Sequence, residues 1–114
     1  MKPRFNLWIE INGDVVLSRW RIKLLKSIDA TGSISSAAEL MDVPYRRAWE
    51  RINEMERRLG CDLLKTEVGG SGGGGAILTK EAKNLITRFD QFQNGIDEEI
   101  KQRFRNAFGG SRSS

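Results

Sequence analysis

Arg46, Arg47, Glu50 and Arg51 all fall within seven residues of Pro44. Side chains of these types suit base and phosphate recognition. A planar guanidinium pairs bidentately with guanine or grips a phosphate, and a carboxylate accepts from cytosine N4. A merely solvated helix face would be charged as well, so polarity alone does not separate the two readings. Position does, because a recognition helix reads bases with its N-terminal turns. Other chemistries are poorly supplied. The chain holds no histidine and one cysteine, Cys61. A Ser-His-Asp or Cys-His pair is therefore excluded, an internal disulfide is impossible, and a structural zinc lacks its ligands. Cys61 reads as a small apolar filler rather than a reactive thiol. The expectation is a protein that is not an enzyme, with no catalytic residue, no metal and no cofactor.

The elements that would position the arginines can be read from spacing. Tyr45, Ala48, Ile52, Met55 and Leu59 recur at intervals of 3, 4, 3 and 4, which is one apolar stripe of a helix. That helix runs from about Pro44, which tolerates the first helical position, to Leu59, where Gly60 stops it. Its other side carries Arg46, Arg47, Glu50, Asn53, Glu54 and Arg57, with Trp49 on the margin. A shorter helix precedes it, capped by Ser33 or Ser35, with Ala37, Ala38 and Met41 inward and Asp42-Val43 as the turn. Residues 32–60 thus read as a helix-turn-helix. Ser33, Ser35 and Tyr45 become candidate phosphate contacts, since helix N-termini attract anions.

Upstream, Ser18 is an N-cap, and Trp20, Leu24, Leu25 and Ile28 make the inner face of a first helix ended by Thr31-Gly32. The intervening Arg19, Arg21, Lys23 and Lys26 read mostly as a solvated face. Phe5, Leu7, Ile9 and Ile11 alternate with Asn6, Trp8, Glu10 and Asn12, the period of a half-buried strand. Asn12-Gly13-Asp14 turns it into a hairpin with Val15-Val16. Trp8 falls on the polar face, either packed outside the core or at a subunit contact.

Downstream, residues 62–78 read as a wing: a strand from Asp62 to Val68, a tip with six glycines in residues 69–75, and a return at Ala76-Ile77-Leu78. Glycines let backbone amides approach phosphates closely, so Gly72, Gly73 and the neighbouring Lys65 are candidate contacts. Gly70, Gly72 and Gly75 formally match a dinucleotide fingerprint, but that motif must open a helix and a P-loop must end in Gly-Lys-Ser/Thr. Neither condition holds. A bare flexible hairpin tip is the competing reading. From Thr79 a long helix is predicted over 79–108. It carries Leu85, Phe89, Phe92, Ile96, Ile100 and Phe104 every three or four residues, with Phe108 beyond. At ~1.5 Å per residue it would span roughly 40 Å, more than the preceding domain (1–78) can cover. A second copy of the chain is the expected partner for those six residues. Residues 109–114 read as a disordered tail.

The 114 residues carry a net charge of +4, spread over both halves of the chain. Any basic footprint must therefore come from placement. No apolar run approaches a membrane span and no signal-peptide core is present, so a cytoplasmic location without membrane partners is expected.

The segments GSISSAAELMDVPYRRAWERINEM and GGSGGGGAILT, in this order and spacing, resemble the DNA-binding domain of ModE-type molybdate-responsive regulators. More distantly they resemble the LysR-type winged helix-turn-helix. The likeness covers residues 18 to about 90 closely. It implies an α+β winged helix-turn-helix with an N-terminal β-hairpin and a long C-terminal dimerisation helix. It further implies a homodimer on double-stranded operator DNA, an inverted repeat, with Tyr45, Arg46, Arg47, Ala48 and Trp49 entering the major groove. Full-length members carry C-terminal oxyanion-binding domains. This sequence stops at residue 114 without one, so molybdate binding is not carried over and a separate sensor protein is a possible partner. Ser71 stands where the family often has lysine, and Glu67 precedes the loop, leaving backbone amides and Lys65 for phosphate. The expected function is a transcription regulator. The alternative is a winged-helix protein-interaction module docking through Trp8, Trp49 and the C-terminal stripe.

Overall fold

The computed structural model describes residues 1–67 and 74–109. Its elements are β1 (Trp8–Ile11), β2 (Asp14–Ser18), α1 (Arg19–Thr31), α2 (Ile34–Leu40), α3 (Tyr45–Leu59), β3 (Leu64–Glu67), β4 (Gly75–Leu78) and α4 (Lys80–Phe104), followed by a π-helical turn over Arg105–Gly109. The strands form two separate antiparallel pairs, β1 with β2 and β3 with β4. The architecture is the expected winged helix-turn-helix with an N-terminal hairpin and a long last helix.

Local chemistry explains most boundaries. Asn12 and Gly13 have φ of 53° and 85°, the two left-handed residues that a tight hairpin turn requires. The strand expected from Phe5 begins only at Trp8. Trp8 pairs with Ser18, and Ser18 is already the N-cap of α1, its hydroxyl accepting from the Arg21 amide at 3.1 Å. Residues before Trp8 therefore have no strand left to pair with. Phe5 instead lies under the Arg19 guanidinium, 4.4 Å from its ring centre. Gly32 closes α1 at φ 88°, its N–H bonded to the Ile28 carbonyl.

Helix α1 is the centre of the core. Leu24, Leu25 and Ile28 are fully buried, surrounded by Val16, Ala37, Ala48, Ile52, Met55, Leu63, Leu78, Ala82 and Phe89. The basic residues of α1 are less solvated than their sequence pattern suggests. Arg21 reaches Glu54 of α3 at 2.7 Å. On the other side, Arg19 donates to Gln93 and Lys26 pairs with Asp90, which fastens α1 to α4.

Helix α4 starts at Thr79, whose hydroxyl accepts from the Ala82 amide and donates to the Asp62 carbonyl. It is 25 residues long, about 37 Å. The π turn carries the coil on to Gly109, so that residue belongs to folded structure; residues 110–114 of the expected tail lie outside the described residues. The stripe assigned to a second chain needs one correction. Phe89 is only 2 % exposed and belongs to the core of the single chain, with Leu85 packed against it. The first three turns of α4 are close enough to α1 for its own domain to cover them. Past that point coverage is partial: Phe92 is 50 % and Phe108 64 % exposed, whereas Ile96, Ile100 and Phe104 are half-buried, with Met1, Lys2, Pro3 and Phe5 of the same chain beside Ile100. The molecule reaches 64 Å in its longest direction. Gly95 has open space around it, so it marks no close helix crossing among the described residues.

Candidate nucleic-acid interface

The turn between α2 and α3 sets the site. The Val43 amide reaches back to the Ala38 carbonyl and the Asp42 amide to that of Glu39. This is the paired bond pattern of a Schellman closure. Asp42 takes the left-handed position at φ 58°, which a short polar side chain tolerates better than a bulky one. Val43 packs on the core, and Pro44, extended at ψ 142°, then launches α3.

Helices α1, α2 and α4 each begin with a side chain closing the first turn, Ser18, Ser33 and Thr79 respectively. Helix α3 begins at Pro44 with no side-chain cap. The Arg47 and Ala48 amides return to the Pro44 carbonyl, leaving those of Tyr45 and Arg46 at the positive end of the helix. Around them Pro44, Tyr45, Arg46, Arg47, Trp49 and Glu50 are all exposed. Arg46 is 86 % exposed and meets Glu50 at 3.4 Å one turn on. Tyr45, read as the first residue of the buried stripe, is 53 % exposed. The stripe reaches the core only from Ala48, because α3 enters the domain one turn after it starts.

Ser35 shares a cleft with Pro44 and Tyr45, so the starts of α2 and α3 are brought together, but Glu39 and Asp42 line the same cleft. Ser33 is the cap of α2, accepting from the Ser36 amide at 3.0 Å, so its hydroxyl keeps only its proton to offer an anion. Lys65 is exposed on β3 opposite the exposed Ile77. The hairpin is tied to the helix-turn-helix by a backbone bond from the Ala76 amide to the Gly32 carbonyl at 2.8 Å and by the Glu56 carboxylate of α3, which accepts from the Leu63 and Leu64 amides at 2.8 and 3.3 Å. A Cβ at Gly75 would sit 3.1 Å from the Gly32 carbonyl, tight enough that a side chain there would push the two backbones apart by a few tenths of an ångström. Gly72 and Gly73 at the expected wing tip lie outside the described residues.

Beneath the exposed start of α3 is a charged anchor that the sequence does not announce. Glu54 faces Arg21 at 2.7 Å, Arg58 at 3.2 Å and, more loosely, Arg51 at 3.9 Å. Arg58 also donates to the Val15 carbonyl of β2 at 2.7 Å. Arg51, a candidate DNA contact, is thus partly committed inward. Burial by itself raises the Glu54 carboxyl, but the hydrogen bond and charge of Arg21, then the charges of Arg58 and Arg51, outweigh it and hold the group below its ordinary value. A charged residue one turn-multiple from other charges was the only available signal, and it does not identify a partner 33 positions away. Burial and the nearby carboxylates of Glu81, Asp62 and Glu56 push the Cys61 thiol up, in keeping with a filler rather than a nucleophile. Among the described residues no cluster of potential metal ligands occurs.

Two short helices, an exposed basic helix start and an adjoining two-stranded hairpin define the winged class of helix-turn-helix domains. The chain belongs to the lysR family of bacterial regulatory helix-turn-helix proteins, whose family model matches residues 20–83. It is 44 % identical over 90 residues to the DNA-binding transcriptional dual regulator ModE of Escherichia coli, an alignment covering 79 % of this chain and 34 % of that protein. It is 36 % identical over 76 residues to the molybdenum-pterin-binding protein MopB of Rhodobacter capsulatus, covering 67 % of this chain and 28 % of that one. The chain therefore spans about a third of the length of these relatives. Among solved structures, a CbnR_DBD-DNA complex superposes with a TM-score of 0.59 over 80 % of this chain and 98 % of that chain, at 19 % identity; that likeness concerns the fold.

Proposed function

We propose that this protein is a transcription regulator that binds double-stranded DNA as a homodimer, with the start of α3 in the major groove. The uncapped start of α3, with Tyr45, Arg46 and Arg47 exposed and set beside a hairpin tied to Gly32, supports this reading best. Arg46, Arg47 and Glu50 face base edges, and Arg51 lies at their margin. Tyr45, the hydroxyl proton of Ser33, Ser35 and Lys65 serve the flanking phosphates, together with backbone amides at the wing tip. The protein acts without catalysis, in the cytoplasm; among the described residues no helix is long and apolar enough to cross a membrane. Selection of duplexes from random-sequence DNA by the purified protein tests the reading. An inverted repeat with half-sites about one helical turn or a multiple apart is expected. Enrichment of no sequence, with no salt-dependent retention of DNA, would refute it.

The partner surface is the outer half of α4: Phe92, Ile96, Ile100 and Phe104, without Phe89. Placing glutamate at both Phe92 and Phe104 should leave the fold intact, since neither is buried, while separating the protomers. Sedimentation at tens of micromolar should give twice the 12.9 kDa of the chain for wild type and a monomer for the variant. A monomeric wild type overturns the dimer.

A further inference from the structure

We infer that Trp49 is a specificity-determining residue that reads the 5-methyl group of thymine in the major groove. The inference rests on the DNA-binding reading above and names a base that its charged residues do not cover. Trp49 is 49 % exposed on α3. It sits one turn after Tyr45 and one turn before Asn53, and positions four apart lie on one side of a helix. The row 45, 49 and 53 therefore runs beside the row of Arg46 and Glu50, whose side chains meet at 3.4 Å. Both rows start at the end of α3 that a recognition helix inserts first.

The edges of base pairs in the major groove present donors, acceptors and one apolar group, the thymine methyl. Arg46 is suited to guanine and Glu50 to cytosine. An indole offers a broad apolar face and one N–H donor, which fits the methyl and the adjoining O4 acceptor of thymine. Trp8 provides the internal contrast. It is equally exposed, but its N–H is taken by Glu10 at 2.8 Å. The N–H of Trp49 has no acceptor among the described residues, and the open concavity beside Trp49 is lined by Glu50, Arg51, Asn53, Glu54 and Arg57, so the indole face borders groups that can pair with base edges.

The test uses the duplex enriched from random DNA and the same duplex with each thymine in turn replaced by deoxyuracil, which lacks only the methyl. Wild type should lose about fourfold in affinity at one position per half-site and roughly fifteenfold when both half-sites are changed, the value of burying one or two methyl groups. Trp49→Ala should bind the thymine duplex more weakly and no longer distinguish it from the deoxyuracil duplex, with its melting temperature confirming that it folds. Equal binding of wild type to every deoxyuracil duplex refutes the inference without any variant. Unchanged thymine preference in Trp49→Ala refutes it as well. Both results leave the DNA-binding reading standing, whereas failure to enrich any duplex removes the two together.

Discussion

Replacing Arg46 and Arg47 together by alanine should abolish specific DNA binding and leave the fold as stable as wild type. Both side chains are exposed, and Arg46 has only a 3.4 Å ion pair with Glu50 one turn on, a contact worth about 0.3–0.5 kcal/mol in a helix. Stability should therefore change by no more than roughly 0.5 kcal/mol. Loss of a bidentate base contact costs about 1–3 kcal/mol. Two such losses weaken each half-site from roughly thirtyfold to well over a thousandfold. The salt dependence separates the two possible roles. If the arginines grip phosphates, the log–log slope falls by about 0.9 for each one removed, and affinity drops for every sequence alike. If they read bases, the slope holds and the preference among sequences collapses. Equal binding by variant and wild type at about 50 mM salt, where electrostatic retention is strong, would end the case for α3 as the reading helix.

The features legible in the sequence are those whose causes are local. Ser18 and Thr79 cap their helices through amides three residues on. Gly32 and Gly60 take left-handed conformations that stop α1 and α3, and Asn12-Gly13 needs no distant partner to turn a hairpin. Spacing of three and four finds the inner faces of α1 and α3 for the same reason. What spacing leaves open is which surface covers an apolar face. Phe89 and Phe92 are consecutive members of one stripe, yet one is buried under α1 and the other is half exposed. The limit between them is set by which face of α4 meets α1, since Arg19 still reaches Gln93 beyond Phe92, and that face is a tertiary quantity. The shortened β1 has the same origin, since its partner strand ends where α1 begins.

The candidate site divides along the same line. Arg46, Arg47 and Glu50 could be placed from their distance to Pro44, because phase along one helix is a local property. Tyr45 could not: its place in the apolar stripe is correct in phase, but the domain does not extend to cover the first turn. Trp49, on the margin of the stripe, becomes informative only when its exposure is known. Arg21 and Glu54 belong to different helices, and nothing in the neighbourhood of either residue names the other. Their pairing ties α1 to α3, the helix that carries the exposed arginines.

That anchor carries the second large effect. Glu54→Ala should destabilise the protein by about 2–3 kcal/mol, toward the lower end of the loss for a broken buried ion pair because the carboxylate keeps some solvent. In a chain of this size the melting temperature should fall by roughly 10 °C. The cost arises from Arg21, whose side chain is 11 % exposed and would lose its carboxylate; one of its terminal nitrogens, Nη1, already has no hydrogen-bond partner among the described residues. The pH dependence has a definite sign. The Glu54 carboxyl is held below the ordinary value of 4.5 in the folded chain, so its contribution is present above that value and disappears as pH falls through the lower folded one. Glu54→Gln removes this acid-linked loss while keeping an acceptor for Arg21. If the penalty is an orphaned charge, removing that charge should relieve it. The double variant Arg21→Met/Glu54→Leu should therefore recover most of the stability lost in Glu54→Ala, since well-packed apolar residues can replace a buried pair at little cost. Thermal melts of the variants between about pH 3 and pH 7, a range spanning the unperturbed carboxylate, decide the matter. A Glu54→Ala variant within about 0.5 kcal/mol of wild type would show that solvent can replace this carboxylate.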